Sequence, residues 1–282
     1  MAEILKGAAV AKAMTAELAE RAEALKAKGV EPCLAILRVG ENPSDISYET
    51  GALKRMEKVG VKVKQILLPA DASKEDILGA VKSVNEDDSI HGLLMFRPLA
   101  NKEAEAEACK LIDPKKDVDA MSQASLASVF TGSGDGYAPC TAQSCMEILD
   151  YYKVPLSGKR AVVIGRSLVI GKPVSQMLMA KNATVTVCHS RSVDIPSICK
   201  EADIVVAALG KAKFMTADFA KEGQTIIDVG INVNEEGKLC GDVDYDNVEP
   251  IVAGITPVPG GVGNVTTAVL AKHVIEAAEK TA

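Results

Sequence analysis

The feature that most constrains this chain is an alternation in which short apolar runs of strand length take turns with helical patterns along most of the sequence. In the first half, helical periodicity at residues 8–28, 44–59, 74–85 and 102–111 is interleaved with apolar runs at 33–39, 61–68 and 90–96. A strand, a helix and a second strand close most readily as a βαβ unit, so the pattern predicts a largely parallel sheet covered by helices. A Gly-rich stretch at 131–136 interrupts the rhythm ahead of a new helix near Thr141, as expected on approach to a domain boundary. The alternation then resumes with strand 160–164, helix 172–180, strand 184–188, helix 195–200, and strands 204–209 and 225–229. That order fits a nucleotide-binding domain. The last pattern, 266–280, is an amphipathic helix after the turn-rich TPVPGGVGN segment, placed to pack back on the first domain. The expected fold class is α/β in two domains. An N-terminal α/β substrate domain covers 1–141 and is completed by the C-terminal helix 266–282, and a Rossmann-type dinucleotide-binding domain covers 142–265.

Composition narrows the functional classes. With 282 residues, 48% of them hydrophobic, the chain has material for two medium-sized cores. The net charge of -6 and the scatter of Lys and Arg leave no basic patch for a phosphate backbone, so nucleic acid is not an expected partner. The seven cysteines form no CxxC pair and no zinc-like spacing, and they read as reduced thiols without a metal. The N-terminus lacks the basic region and apolar run of a signal peptide, and no window approaches the ~18 apolar residues of a membrane span. A cytoplasmic protein without a membrane partner is expected.

The segment AVVIGRSLVIGKPV runs from an apolar strand through Gly165 and Gly171 into a helix. At such a turn the phosphates of a dinucleotide meet amide groups and the positive helix end. The middle glycine of GxGxxG is absent, so a tight turn without ligand remains open from this loop alone. An NAD site usually places an acidic residue at the end of the second strand, about 20 residues on, to hold the ribose hydroxyls. Here that strand ends His189, Ser190, Arg191, with no carboxylate. Together with Arg166, these donors suit an additional phosphate and favour NADP over NAD, the alternative being that both arginines are solvated surface residues.

Around that loop the chain carries GRSxxxGxP, CHSRS, DVGIN, GDVDY and TPVPGGVGNVT in order. The first half adds Val39, Gly40, Pro43, Ser47 and Tyr48, then Gly92 to Leu94 with Pro98 and Leu99, Pro114 to Asp119, and Pro139 to Thr141. This set resembles the methylenetetrahydrofolate dehydrogenase/cyclohydrolase family over nearly the whole chain. The resemblance implies an oxidoreductase of one-carbon metabolism that moves a hydride between 5,10-methylenetetrahydrofolate and NADP, and a homodimer joined through the cofactor domains. It further implies catalytic roles for Tyr48, which would stack on the folate, and Asp119, which would grip the pterin. Pro259, Gly260 and Gly261 would approach the substrate, and Gly165, Arg166, Ser167, Gly171, Ser190, Arg191 and Ile231 would hold the cofactor. Asp117 reads as structural, His189 as a packing or hydrogen-bonding residue, and Asn264 departs from the family pattern without an evident role.

Two further departures bear on activity. The family follows Tyr with Lys four residues later, where this chain has Ala52, and its GLLVQLPLP becomes GLLMFRPLA, so a Gln partner of that Lys becomes Phe96. Lys54 is two residues from Ala52, a rotation of about 200° on a helix, and should point away. Hydride transfer needs two molecules held face to face, whereas hydrolysis of the methenyl cation needs an activated water and a proton shuttle. The expectation is a dehydrogenase with weak or absent cyclohydrolase activity. The alternatives are a bifunctional dehydrogenase/cyclohydrolase and a non-catalytic folate- or nucleotide-binding protein.

Overall fold

A computed structural model describes residues 2–282. The chain folds as two compact units: Lys12–Cys140 with Thr267–Ala282, and the residues up to Ala11 with Thr141–Thr266.

Along the first half run β1 (Glu3–Ile4), α1 (Gly7–Ala27), β2 (Cys33–Val39), α2 (Pro43–Val59), β3 (Lys62–Leu68), α3 (Lys74–Glu86), β4 (Gly92–Met95), α4 (Lys102–Leu111) and α5 (Gln123–Thr131). β2 lies between β3 and β4 in a three-stranded parallel sheet, with Leu34 in register with Val63 and Gly92. As the central strand it buries Leu34, Ala35, Ile36 and Leu37 without alternation, because helices cover both faces of such a sheet. On one face Ala35, Leu37, Leu93 and Met95 pack with Ile77, Val81 and Val84 of α3 and Ala104 and Ala108 of α4. The helix starts follow their caps: Asn42 accepts from Ser44 N ahead of Pro43, and Ser73 with Asp76 forms a capping box. α2 stops at Gly60, whose φ of +81° is left-handed.

The second half continues with α6 (Cys140–Tyr151), β5 (Arg160–Ile164), α7 (Gly171–Ala180), β6 (Thr184–Cys188), α8 (Ile195–Lys200), β7 (Ile204–Ala207), β8 (Thr225–Asp228), β9 (Asn232–Val233), β10 (Leu239–Cys240), α9 (Tyr245–Val248), β11 (Gly254–Ile255) and α10 (Thr266–Glu279). Its main sheet has six strands in the order β1-β11-β8-β7-β5-β6, every pair parallel. β9 and β10 form a separate antiparallel pair. The sheet is covered by a core that includes Ile164, Val205, Ala207, Ile226 and Ile255.

The α/β class and the return of the C-terminal helix to the first unit match expectation. The first eleven residues differ from the boundary drawn above. Glu3 and Ile4 pair with Gly254 and Ile255 and extend the second unit's sheet, so this segment does not join the substrate domain. Among the described residues no helix is long and apolar enough to cross a membrane, and no group of three or more His, Cys, Asp or Glu is placed to hold a metal ion.

Candidate active site

In the second unit the strand order reverses at β5, which has β6 on one side and β7 on the other. Ligands of open α/β sheets bind beyond the carboxyl ends of the strands at such a reversal. Gly165 leaves β5 at that point with a φ of +128°, and a Cβ there would lie 2.2 Å from the carbonyl oxygen of Ala208, beyond the end of β7. A Cβ on Gly171 would lie 2.2 Å from the Gly165 oxygen. Both glycines are thus required by close backbone approach. Ser167 Oγ accepts from Ile170 N at 3.1 Å and Gly171 N at 3.5 Å, so the hydroxyl engages amides that the sequence left open at this turn.

The segment after β6 is a turn held by His189. Its backbone N–H donates to Ser192 Oγ at 3.0 Å and its Nδ1 accepts from Arg191 N at 3.1 Å. These bonds give His189 the hydrogen-bonding role expected of it. Arg166, Ser190 and Arg191 lie at the surface, and neither arginine makes an ion pair among the described residues.

Two buried carboxylates that the sequence did not single out brace the neighbouring loops. Asp242 accepts from the backbone N–H groups of Leu209, Gly210 and Lys211 at 2.5, 3.0 and 2.8 Å and from Asn232 Nδ2 at 2.9 Å. Asp228 accepts from Gly230 N at 2.9 Å and from Asp242 N and Val243 N at 3.0 Å. Burial raises the Asp228 pKa to about 6, although those amides favour its anion. The pairing explains the glycines of DVG and GDV, since a Cβ on Gly230 or Gly241 would run into Asp242 or Asp228. The Ile231 side chain, next in the chain, is 69% exposed.

In the PVPGGVG turn, Gly260 has a φ of +108°, and its oxygen accepts from Gly7 N at 2.9 Å. A Cβ on Gly261 would lie 2.5 Å from Pro257 O, whereas Pro259 is exposed. Asn264 ends a short 3-10 turn, its backbone N–H donating to Gly261 O at 3.1 Å and its side chain exposed.

In the other unit, the carboxyl ends of β2 and β4 lead into Gly40 and Phe96. Half-buried Tyr48 on α2 meets the Phe96 ring edge to face, with centroids 6.0 Å apart and planes at 83°. Ala52, one helical turn past Tyr48, is fully buried, and Lys54 is exposed. Asp119 Oδ1 accepts from Cys140 N at 3.0 Å. Burial pushes its carboxyl above the usual range, opposed by that bond and by the Arg97 guanidinium. Asp117, fully buried, accepts from Met121 N and Ser122 N at 2.8 Å, a structural role as the sequence indicated. His273 is likewise engaged, with Nδ1 donating to Val118 O at 2.8 Å.

Sequence reasoning missed Glu49. It is buried at 3% exposure on α2 and accepts from Arg38 Nε at 2.7 Å and Gln65 Nε2 at 2.6 Å. A cavity of about 930 Å³ in this unit lies at the opposite, amino ends of the strands, beside Cys33, Lys62 and His91, and none of the expected site residues lines it.

A glycine-built turn at a sheet reversal, in a chain whose other α/β unit carries a half-buried tyrosine and a carboxylate, fits a nucleotide-dependent α/β enzyme. The comparisons make the class specific. The catalytic-domain model of tetrahydrofolate dehydrogenase/cyclohydrolase matches residues 5–119, and the NAD(P)-binding-domain model of the same enzyme matches 139–282. The chain belongs to this family and is an oxidoreductase with an NAD(P)-binding domain. It is 50% identical over 281 residues to the bifunctional protein FolD of Carboxydothermus hydrogenoformans, covering 99% of this chain and 98% of the relative. It is 47% identical over 277 residues to the same protein of Alkaliphilus oremlandii, with 98% and 97% covered. Among solved structures, the bifunctional FolD of Campylobacter jejuni superimposes with a TM-score of 0.97 at 35% identity over 100% of both chains. The Trypanosoma brucei dehydrogenase-cyclohydrolase, complexed with NADP cofactor and inhibitor, gives 0.92 at 33% identity over 99% and 98%.

Proposed function

We propose that this chain oxidises 5,10-methylenetetrahydrofolate to 5,10-methenyltetrahydrofolate with NADP⁺, reversibly, and hydrolyses the methenyl product weakly or not at all. The residues present fit the cofactor. Gly165 and Gly171 leave room where a Cβ would clash, and Arg166, Ser190 and Arg191 at the surface offer donors to an additional phosphate, with no carboxylate in the turn that would repel it. NADP supplies the hydride acceptor when bound.

The chain's own residues then act by placement. Tyr48 offers a face to the pterin, Asp119 offers acceptor oxygens to paired N–H donors, and the Gly260–Gly261 backbone permits close approach. No protein base is needed for hydride loss, because the folate nitrogens stabilise the cation formed. Hydrolysis makes the further demand, since a water must be activated and its proton moved. The observation that carries the reading is the fully buried methyl of Ala52 beside a Tyr48–Phe96 aromatic pair, where the family resemblance calls for an ammonium and an amide.

A bifunctional reading is favoured by the names of the relatives at 47–50% identity. It requires a water-activating group other than residues 52 and 96. The resemblance also supports a cytoplasmic homodimer joined through residues 142–265, and sedimentation at a single-chain mass would count against the dimer. Initial rates with methylenetetrahydrofolate and each cofactor side by side test the dehydrogenase reading. Formation of reduced nicotinamide, faster with NADP⁺ than with NAD⁺ at equal subsaturating concentration, is expected. No reduction of either would support a binding protein instead.

A further inference from the structure

The core-facing stripe of α2 consists of Glu49, Ala52, Met56 and Val59. Three of these four are apolar, as an amphipathic helix packed on a sheet requires, and the fourth is a carboxylate. Glu49 and the Arg38 side chain are 4% and 11% exposed, so both members of the pair have largely left water. Burial of that kind recovers its desolvation cost only in part, and an apolar pair of similar size would stabilise the helix contact as well or better.

The geometry gives the pair a different use. Glu49 Oε2 accepts from Arg38 Nε at 2.7 Å, and Oε1 accepts from Gln65 Nε2 at 2.6 Å. Arg38 also donates through Nη1 to the carbonyl of Gly40, in the turn that leads from β2 into α2. One point in the second turn of the helix is therefore held from β2, from β3 and from the entering loop. Apolar contacts tolerate sliding and rolling, whereas two oxygens with fixed donor directions define the rotation of the helix about its axis. Tyr48 is the adjacent residue, so a roll of α2 carries its ring directly.

We propose that the Arg38–Glu49 pair is a positioning device that sets the roll of α2 and thereby the placement of Tyr48 against the folate. The inference rests on the reading of Tyr48 as the residue that faces the pterin. Misplacement of about 1 Å is enough to cost up to 10²-fold in a positioned reaction, so a small roll is consequential.

Three variants test it by steady-state kinetics, thermal unfolding and calorimetric binding of tetrahydrofolate. The double variant Arg38→Met with Glu49→Met removes both charges and keeps side-chain volume. It should unfold near the wild-type temperature while its KM for methylenetetrahydrofolate and Kd for tetrahydrofolate rise about tenfold, with the KM for NADP⁺ unchanged. Arg38→Lys, which keeps the charge but loses the fork, should fall between the double variant and wild type. Glu49→Gln keeps the shape and one acceptor and covers the case in which the double variant does not fold, again with folate constants raised and the NADP⁺ constant unchanged. Unchanged folate constants in either folded variant would overturn the proposal, as would an equal loss of folate and NADP⁺ binding, which marks a general structural role. Wild-type protein that reduces no nicotinamide would defeat the dehydrogenase reading, and the tetrahydrofolate Kd ratios would then decide the role of the pair.

Discussion

On the proposed reading, Ala52 and Phe96 are where a change of two side chains separates one reaction from two. A methyl group and a phenyl ring can neither hold a water nor carry its proton, and both are buried. Lys54, the nearest lysine on the helix, is exposed. Restoring the polar pair with Ala52→Lys and Phe96→Gln should therefore raise hydrolysis of methenyltetrahydrofolate on the order of 10²-fold, the usual return from a positioned proton-transfer group. No gain in a folded double variant would show that the missing chemistry lies elsewhere. Tyr48 and Asp119 could be put forward from the sequence because each sits inside an ordered motif. Glu49 was not, because a carboxylate on a helix reads as solvated until tertiary structure brings Arg38 and Gln65 to it.

The longer helices and strands were legible for the same reason that they are stable. Their apolar pattern matches the faces they bury, as in the run Cys33–Leu37 of β2. The elements that escaped notice are short or weakly patterned. β1, β9, β10 and β11 have two residues each, and α5 shows little segregation of apolar from polar positions in QASLASVFT. What secures the loops between such elements is side chain to backbone bonding, above all at Asp228, which ties the end of β8 to residues 242–243. Its pKa, raised to about 6 from an ordinary 3.8 by burial, has a consequence for stability. A carboxyl whose pKa is higher folded than unfolded favours the fold most at low pH, and its contribution is lost as pH rises through about 6. The shift corresponds to about 3 kcal/mol. Isotope-edited NMR should place the midpoint of the Asp228 carboxyl near pH 6, and unfolding by urea should show Asp228→Asn losing less stability than wild type between pH 4 and pH 7. A midpoint near 4 would contradict this account.

At the scale of the whole molecule, the two units divide the reagents on the proposed reading. Residues 141–266 carry the glycine turn and the cationic donors proposed for the cofactor, and the other unit carries Tyr48 and Asp119, proposed for the folate. Nothing in this division asks the protein to activate solvent. The methenyl cation would therefore leave as the product, and its hydrolysis would fall to the spontaneous reaction or to a separate amidine-hydrolysing catalyst. The most direct measurement is the amount of methenyltetrahydrofolate present for each NADPH formed during a single progress curve, corrected for uncatalysed hydrolysis. The account predicts a ratio near one throughout. Formyltetrahydrofolate appearing at the rate of NADPH, with the methenyl form staying low, would contradict it.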